Sequence, residues 1–574
     1  MFARRADGGW QPVTAAQFAG RVSSVAAGLV AAGIAPGDRV GLMAGASLDW
    51  LACDFAIWSA GAVTVPVYET SSVDQVRWVL SDSGAVAAFA GSARLANAIR
   101  SARPAKLKTV WRMDDGGLDA LAQASREAAG TVAGQAVAEV SRRRGALTAE
   151  TLATIVYTSG STGQPKGCMI SHGNLAAAVD SITAIPGVRE RVLTDDASML
   201  SFLPLSHILA RTVALCLVHA GRRTGYLPGP AQLGRELAAF RPTVLLVVPR
   251  VLEKVAAAAR EQAEAGGHRR LFAAAEATAV AYSRSGSWRC GPWLRLRHAV
   301  FGWLVYRRLR ATLGGRVAWV ISGGAPLGSG TGHFLRGAGL AVLEGWGLTE
   351  TTGGITLNLP ARQRIGSVGP PLPGCAVRTG ADGEIEVQGP TVFHGYWQDP
   401  DATGAAFDGG WLRTGDLGRI GDDGFVFVTG RKKELIVTAG GKNVAPGPLE
   451  DRVREHWLIA ECVVIGDRRP YITALVTLEG GAFTRWKRQA GQPPDATVVG
   501  LRDDPALRAV VAEAVNRANT MVSAAETIKR FAILPGPFEV GAELTPTQKV
   551  RRRFVLDRFA DDIDALYAHP AGPR

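Results

Sequence analysis

Cysteine is scarce in this chain, and what there is of it is poorly placed for crosslinking. The 574 residues hold six, Cys53, Cys168, Cys216, Cys290, Cys375 and Cys462, far apart and with no CxxC pair. That excludes a zinc cluster and a disulfide scaffold and points to a reducing compartment, hence a cytoplasmic protein. Long apolar runs are missing too: none reaches the roughly 18 residues a membrane-crossing helix needs. The best stretch, residues 50–67, carries Asp54 and reads as a buried helix followed by a strand. Behind the basic residues at the start, Arg4 and Arg5, there is no apolar core, so no secretory signal is expected. Charged residues make up only 20% against 47% hydrophobic, which sets aside a disordered or fibrous chain.

The balance of 64 Lys and Arg over 51 Asp and Glu, a net +13, fits nucleic acid, an anionic membrane surface or polyanionic small substrates. The length exceeds a single core, so two or more folded units are expected. Helical periodicity over residues 15–32 and 50–60 alternates with short apolar strands at 39–43 and 62–67, and the alternation returns at 153–157, 243–248 and 316–321. Such alternation predicts an α/β fold whose mainly parallel sheets are covered by helices. After Gly366 the texture changes to short strands with turns, at 384–388 and 424–429, which predicts a small β-rich subdomain. A compact α+β unit follows, with helices near 449–455 and 505–521 and strands at 460–465 and 472–478. The domains are therefore expected to be 1–430 and 431–574. No internal repeat is seen.

The strongest local signal is Tyr157-Thr158-Ser159-Gly160-Ser161-Thr162-Gly163-Gln164-Pro165-Lys166-Gly167, after a strand and before a helix-like stretch from Asn174. Glycines let successive N–H groups converge on one anion, hydroxyls add donors, and Lys166 adds a point charge, a combination suited to polyphosphate. The spacing is not that of Walker A, because here the lysine follows proline.

This loop resembles the phosphate loop of the adenylate-forming superfamily, and further motifs match in order from about Gly9 to Val555. The similarity is greatest to bacterial long-chain fatty acyl-CoA synthetases, whose small C-terminal domain is mobile. The resemblance implies ATP, Mg²⁺ and coenzyme A as the cofactor and co-substrates. It assigns Thr158, Ser159, Gly160, Ser161, Thr162, Gly163 and Lys166 to the phosphates, and the turn Gly323-Gly324-Ala325 to adenine. In Gly345-Trp346-Gly347-Leu348-Thr349-Glu350, Trp346 stands where tyrosine is usual and keeps an aromatic face for adenine beside Gly347. Thr349 is implied as the α-phosphate partner and Glu350 as the Mg²⁺ ligand. Asp416 and Arg431 are assigned to the ribose, Lys433 to the hinge, and Lys549 to catalysis, bridging the substrate carboxylate and the α-phosphate. His207, in Leu203-Pro204-Leu205-Ser206-His207, is implied beside the acyl carboxylate. Gly440, Gly441 and Lys442 match the loop that faces CoA, next to an unusually proline-rich Pro446-Gly447-Pro448.

The reaction implied is attack of a fatty carboxylate on the α-phosphorus of ATP, release of pyrophosphate, and then thioester formation with CoA. Residues 284–310 hold seven arginines with Trp288, Trp293 and Trp303 interleaved, a composition suited to peripheral contact with an anionic membrane at the inner face, from which a long-chain fatty acid would be drawn. No nucleic-acid motif accompanies it. Three alternatives stay open: an acyl-AMP ligase that loads a carrier protein, a CoA ligase for another bulky acid, and a non-catalytic acyl- or nucleotide-binding protein. Intact Lys166, Glu350, Asp416 and Lys549 argue against the last.

Overall fold

The computed structural model describes residues 2–6, 9–127, 132–158, 164–229, 232–285, 290–545 and 548–568. Two large sheets form its centre. In one, strands Thr109–Arg112, Ala87–Ala90, Arg39–Met43, Val63–Val67 and Leu152–Thr158 run parallel, and the antiparallel strands Lys166–Ser171 and Gly395–Tyr396 close the edge. In the other, Phe2–Ala6, Arg223–Tyr226, Ser198–Ser201, Val244–Val247, Trp319–Ser322 and Ala341–Trp346 run parallel between two short antiparallel edges. The inner strands are buried on both faces, which is why they read as unbroken apolar runs such as Val244–Val247. An antiparallel five-stranded sheet built around Glu384–Gln388 and Trp411–Ile420 follows, as the change in texture predicts.

Elements with strong periodicity or caps match their sequence reading. Strands Arg39–Met43 and Ile472–Leu478 fall where expected, and helix Ala15–Ala31 starts at a Thr14 capping box. The glycine-rich loop differs: strand Lys166–Ser171 intervenes before helix His172–Thr183, so the loop is the turn of a β-hairpin. That strand is held by pairing with Gly395–Tyr396, over 200 residues away in sequence, which no local pattern reveals. The proline-rich stretch also has a physical role. Pro446 opens helix Pro446–Arg454 at a position where its missing N–H costs nothing.

The two large sheets share one apolar core, which includes Leu42 and Phe89 of the first and Met199 and Leu246 of the second, and a fully buried ion pair bridges two of the helices packed beside them. Asp54, on helix Leu48–Ser59, accepts from Arg211 Nε at 2.8 Å and from Arg211 Nη2, and both side chains are fully buried. Thr64 Oγ1 donates to Asp54 (2.8 Å), and Arg211 Nη1 reaches Thr154 Oγ1 (2.8 Å), which donates onward to the Thr64 carbonyl (2.7 Å). The guanidinium also lies over Trp58 and Trp50, 5.0 and 5.5 Å from the ring centroids. Burial pushes the Asp54 carboxyl up, and Arg211 and Thr64 pull it back toward the charged form.

The C-terminal unit has a three-stranded sheet, Ile459–Ile465, Ile472–Leu478 and Ile528–Ile533, with its own apolar core. It is clamped to helix Pro249–Ala265: Arg250 bonds Glu461, and Arg485 and Gln489 both reach Glu264 at 3.1 Å. Glu461 is also paired within its own unit, with Arg454.

Replacing Arg211 with Met strands a buried carboxylate, and the loss of stability in urea unfolding is expected to be about 3–5 kcal/mol. The double change Asp54→Leu with Arg211→Met, which removes both charges, is expected to recover more than half of it. A loss below about 1 kcal/mol for the single change would show that the pair does not link the two helices.

Candidate active site

Thr158 and Lys166 are cross-strand partners at the mouth of the hairpin. The tip between them, Ser159, Gly160, Ser161, Thr162 and Gly163, lies outside the described residues. The base is clamped by aromatic residues, two through their side chains and one through its backbone amide. Trp78 Nε1 donates to the Pro165 carbonyl (2.8 Å), the Trp397 amide to the Gly167 carbonyl (2.7 Å), and Tyr157 Oη to Asp82 Oδ2 (2.5 Å). Gly167 is required by this packing, since a Cβ there would lie 2.7 Å from Ile155 Cγ2 and 3.2 Å from Trp397 Cβ. Lys166 Nζ sits 5.2 Å from the centroid of the Tyr396 ring and 3.6 Å from Asp399 Oδ2.

Glu350 stands on the single turn Thr349–Thr351 that follows strand Ala341–Trp346. Gly347 makes that turn possible, because a Cβ would fall 1.8 Å from the Gly353 carbonyl oxygen. The Tyr396 hydroxyl donates to Glu350 Oε1 at 2.9 Å. One tyrosine thus positions both the cation Lys166 and the carboxylate Glu350. Sequence reasoning missed Tyr396 because its two-residue edge strand carries no periodicity.

Asp416 is only 4% exposed, on strand Trp411–Ile420. Trp346 Nε1 donates to its Oδ2 at 2.8 Å, so the indole that the resemblance assigns to adenine also holds the carboxylate assigned to ribose. Arg431, its cross-strand partner, brings Nε within 3.0 Å of Oδ1. The N–H is not aligned, and Oδ1 has no hydrogen bond among the described residues. A buried carboxylate oxygen left with open acceptor sites suits a ribose hydroxyl.

The turn Gly323-Gly324-Ala325 leaves strand Trp319–Ser322 with Gly324 at φ +86° and open space where a Cβ would stand. Its far end is fixed by Glu344, a second residue the motifs do not mark. Leu327 N donates to Glu344 Oε1 at 3.0 Å, and burial pushes that carboxyl up to about 7.

His207 caps helix Ile208–His219: its Nδ1 accepts from Leu209 N at 3.2 Å, which assigns the ring proton to Nε2. Arg211, one turn on, anchors that helix. Burial lowers His207 to about 4, and the positive charge of Lys549 adds to the effect. Lys549 lies on a tight turn in which Gln548 has φ +61° and Lys549 N bonds Thr545 Oγ1 (3.0 Å). It is open to water, yet enough protein surrounds it that desolvation, and then Arg431, lower its pKa. Asp416, Glu434 and Glu350 oppose that shift. The structure therefore brings Lys549 close enough to His207, Arg431, Asp416 and Glu350 for their charges to act on one another, and the region they border is the candidate cleft.

Lys433 is exposed in the turn Lys432–Glu434, while its neighbour Lys432 is tied to Asp382 (2.5 Å) and Glu384 (2.9 Å). Gly440, Gly441 and Lys442 are not brought to the cleft. They form the exposed tip of hairpin Ile436–Val437/Asn443–Val444, where Lys442 Nζ lies 3.4 Å from Glu526 of the C-terminal unit.

No cluster of three metal-binding side chains occurs among the described residues. The single carboxylate of Glu350 fits Mg²⁺, which takes one or two carboxylates and completes its shell with water and phosphate oxygens.

Residues 2–397 match the family model described as AMP-binding enzyme, and residues 433–571 match that of the AMP-binding enzyme C-terminal domain. The long-chain-fatty-acid–CoA ligase FadD15 of Mycobacterium tuberculosis is 46% identical over 575 aligned residues, 99% of this chain and 94% of the relative. Long-chain-fatty-acid–CoA ligase 1 of Cavia porcellus is 29% identical, over 93% of this chain and 79% of that one. Among solved structures, ATP-bound MatB from Rhodopseudomonas palustris superposes with TM-score 0.71 at 24% identity, covering 98% of this chain and 96% of that one. The adenylation domain of a carboxylate reductase from Mycobacterium chelonae gives 0.75 at 22%, covering 99% and 88%. At these identities the likeness is one of fold.

The His207 ring should titrate at about 4 by NMR, and Lys549→Ala should move the midpoint upward, since that charge is one of the two causes holding it down. A folded-state value below the ordinary 6.5 means that stability present above pH 6.5 is lost as pH falls toward 4. An unchanged midpoint in the variant would show that Lys549 does not face His207 in solution.

Proposed function

The chain belongs to the AMP-binding, adenylate-forming enzymes, and from that premise we propose how its own residues carry the reaction of a long-chain fatty acid–CoA ligase. The enzyme activates a fatty acid with ATP to an acyl-adenylate, releasing pyrophosphate, and then forms the CoA thioester. The observation that carries this reading is the convergence of Lys549, His207, Glu350, Asp416 and Arg431 on one cleft, in a chain nearly half identical to a named ligase of this type along almost its whole length.

In the first step a carboxylate oxygen attacks the α-phosphorus in line with the departing pyrophosphate. No protein nucleophile is needed; the requirements are positioning and neutralisation of charge. Lys549 bridges the carboxylate and the α-phosphate, Thr349 donates to the same phosphate, and Lys166 and the hairpin loop hold the outer phosphates. Glu350, kept in place by Tyr396, would hold Mg²⁺, which would supply charge neutralisation to the polyphosphate. Asp416 takes the ribose hydroxyls, with Arg431 beside it and Trp346 fixing its rotamer. Neutral His207 presents Nε2–H to the acyl carboxylate without adding a charge that would compete with Lys549.

In the second step the CoA sulfur attacks the acyl carbon and AMP leaves. Gly440, Gly441 and Lys442 form the CoA-facing loop, and a rotation about Lys433, close to a domain boundary at about residue 430, exchanges it for the Lys549 turn. The exposed Lys433 between the anchored Lys432 and Glu434 supports a pivot at this point. The relatives named as CoA ligases favour CoA over a carrier protein as acceptor.

No described helix is long and apolar enough to cross a membrane. Contact with an anionic membrane surface is peripheral, through the arginine- and tryptophan-bearing helices that follow residue 284.

Acid-dependent ATP–pyrophosphate exchange over a chain-length series, followed by CoA consumption with the best acid, tests the reading. Failure of every acid to support exchange would overturn it, and exchange without CoA consumption would assign the acyl group to another acceptor. Lys549→Ala is expected to slow adenylation by about 10²–10³-fold while sparing thioester formation from supplied acyl-adenylate. Equal loss of both half-reactions would contradict the exchange of faces.

A further inference from the structure

Residues 277–343 hold nine arginines and not one Asp or Glu. Within them, helix Pro292–Phe301, the wider turn Gly302–Tyr306 and helix Arg307–Thr312 form one continuous helical arm. Its inner face is an ordinary core face. Phe301, Val305, Tyr306 and Leu309 are buried in the apolar core, Tyr306 Oη donates to the Ala275 carbonyl (2.7 Å), and His298 stacks on Tyr282 at 3.8 Å.

A surface helix with one buried face should be polar on the other. This arm is not. Trp293 is 69% exposed, Leu296 57%, Val300 47% and Trp303 70%. Their spacing of three, four and three residues puts them on one outward stripe. They are four of the thirteen large apolar side chains exposed among the described residues, gathered into eleven positions, and they include both of the exposed tryptophans. Arg295, Arg297, Arg307 and Arg308 are exposed along the same arm, with no acidic residue near them in sequence.

An apolar stripe held toward water by a helix whose other face is already satisfied marks a partner surface. The flanking chemistry names the partner. Indoles favour the headgroup layer of a bilayer, aliphatic side chains favour the acyl boundary just below, and guanidinium groups pair with phosphate. Nucleic acid would use the arginines but would leave Leu296 and Val300 in water.

We propose that the stripe Trp293, Leu296, Val300 and Trp303 is a membrane-docking face that lies in the plane of an anionic bilayer, with the flanking arginines on lipid phosphates. This rests on the membrane contact proposed above and supplies its location and orientation. The arm is packed on the core that also carries the strand leading to the Gly323-Gly324 turn, so docking sets one side of the cleft-bearing domain against the lipid.

The test is flotation of the full-length protein with phosphatidylcholine vesicles, with or without phosphatidylglycerol, in the absence of ATP, CoA and fatty acid. The wild type is expected to float only with the anionic vesicles. Trp293→Ser with Trp303→Ser should lower the partition coefficient at least about tenfold, since two interfacial anchors are removed. Arg307→Gln with Arg308→Gln, both on the surface, should weaken binding and flatten its dependence on salt. Thermal midpoints equal to the wild type's are expected for both variants; should the tryptophan variant not fold, the arginine variant and the salt series decide. A wild type that ignores anionic vesicles, variants that float as it does, or a tryptophan variant whose only change is from dimer to monomer would each overturn the proposal. Vesicle binding by a protein that forms no acyl-CoA would leave this face standing and remove the ligase reading instead.

Discussion

The buried pair of Asp54 and Arg211 is the polar link set into the apolar core that the two large sheets share. Arg211 belongs to the helix that begins at His207, and Asp54 to a helix covering the sheet that ends in the glycine-rich hairpin. Thr154, which accepts from the same guanidinium, lies four residues before Thr158 at the mouth of that hairpin. A network of four side chains therefore links the helix capped by His207 to the strand that leads into the glycine-rich hairpin. Desolvating two charges is expensive, and the Thr64 and Thr154 hydroxyls and two indole faces offset the cost by satisfying the donors and acceptors that remain.

The cleft repeats one device. Three carboxylates there are each held by an aromatic donor: Asp416 by Trp346, Glu350 by Tyr396, and Asp82 at the hairpin base by Tyr157. A rigid aromatic side chain loses little entropy on ordering and contributes one directed N–H or O–H. The acid's remaining lone pairs stay free, as Oδ1 of Asp416 illustrates. An acid pre-oriented but not saturated is what binding of a sugar hydroxyl or a hydrated cation requires. Trp346 in the place of the more usual tyrosine acquires a reason here, since its N–H reaches a carboxylate that sits across the cleft on another sheet.

Much of this was legible in advance. Strands buried on both faces announced themselves as apolar runs, and capped amphipathic helices showed their ends, because those signals are local. The motif residues were legible by type: a lysine beside a basic tail, a carboxylate after a glycine turn. Tyr396 and Glu344 were not, since each acts on a residue brought to it by strand pairing or by a neighbouring turn. The hairpin nature of the glycine-rich loop was hidden for the same reason, its second strand being stabilised by a partner from the far end of the domain.

By itself, the sequence determined the chemistry on offer: an α/β frame, polyphosphate-directed glycines and hydroxyls, and a lysine placed late in the chain. Composition, spacing and periodicity act over a few residues, and these features need no more. Only the tertiary structure decided which groups meet. It set Lys549 against His207, Arg431 and Asp416, and kept Gly440 and Gly441 away from that cleft. It also turned Trp293 and Trp303 outward while burying Phe301 and Tyr306 from the same arm. Which face of a helix meets water, and what charge stands beside a lysine, depend on contacts between separate segments, tens of residues apart at the arm and more than a hundred between Lys549 and its neighbours. Those contacts exist only once the core has formed.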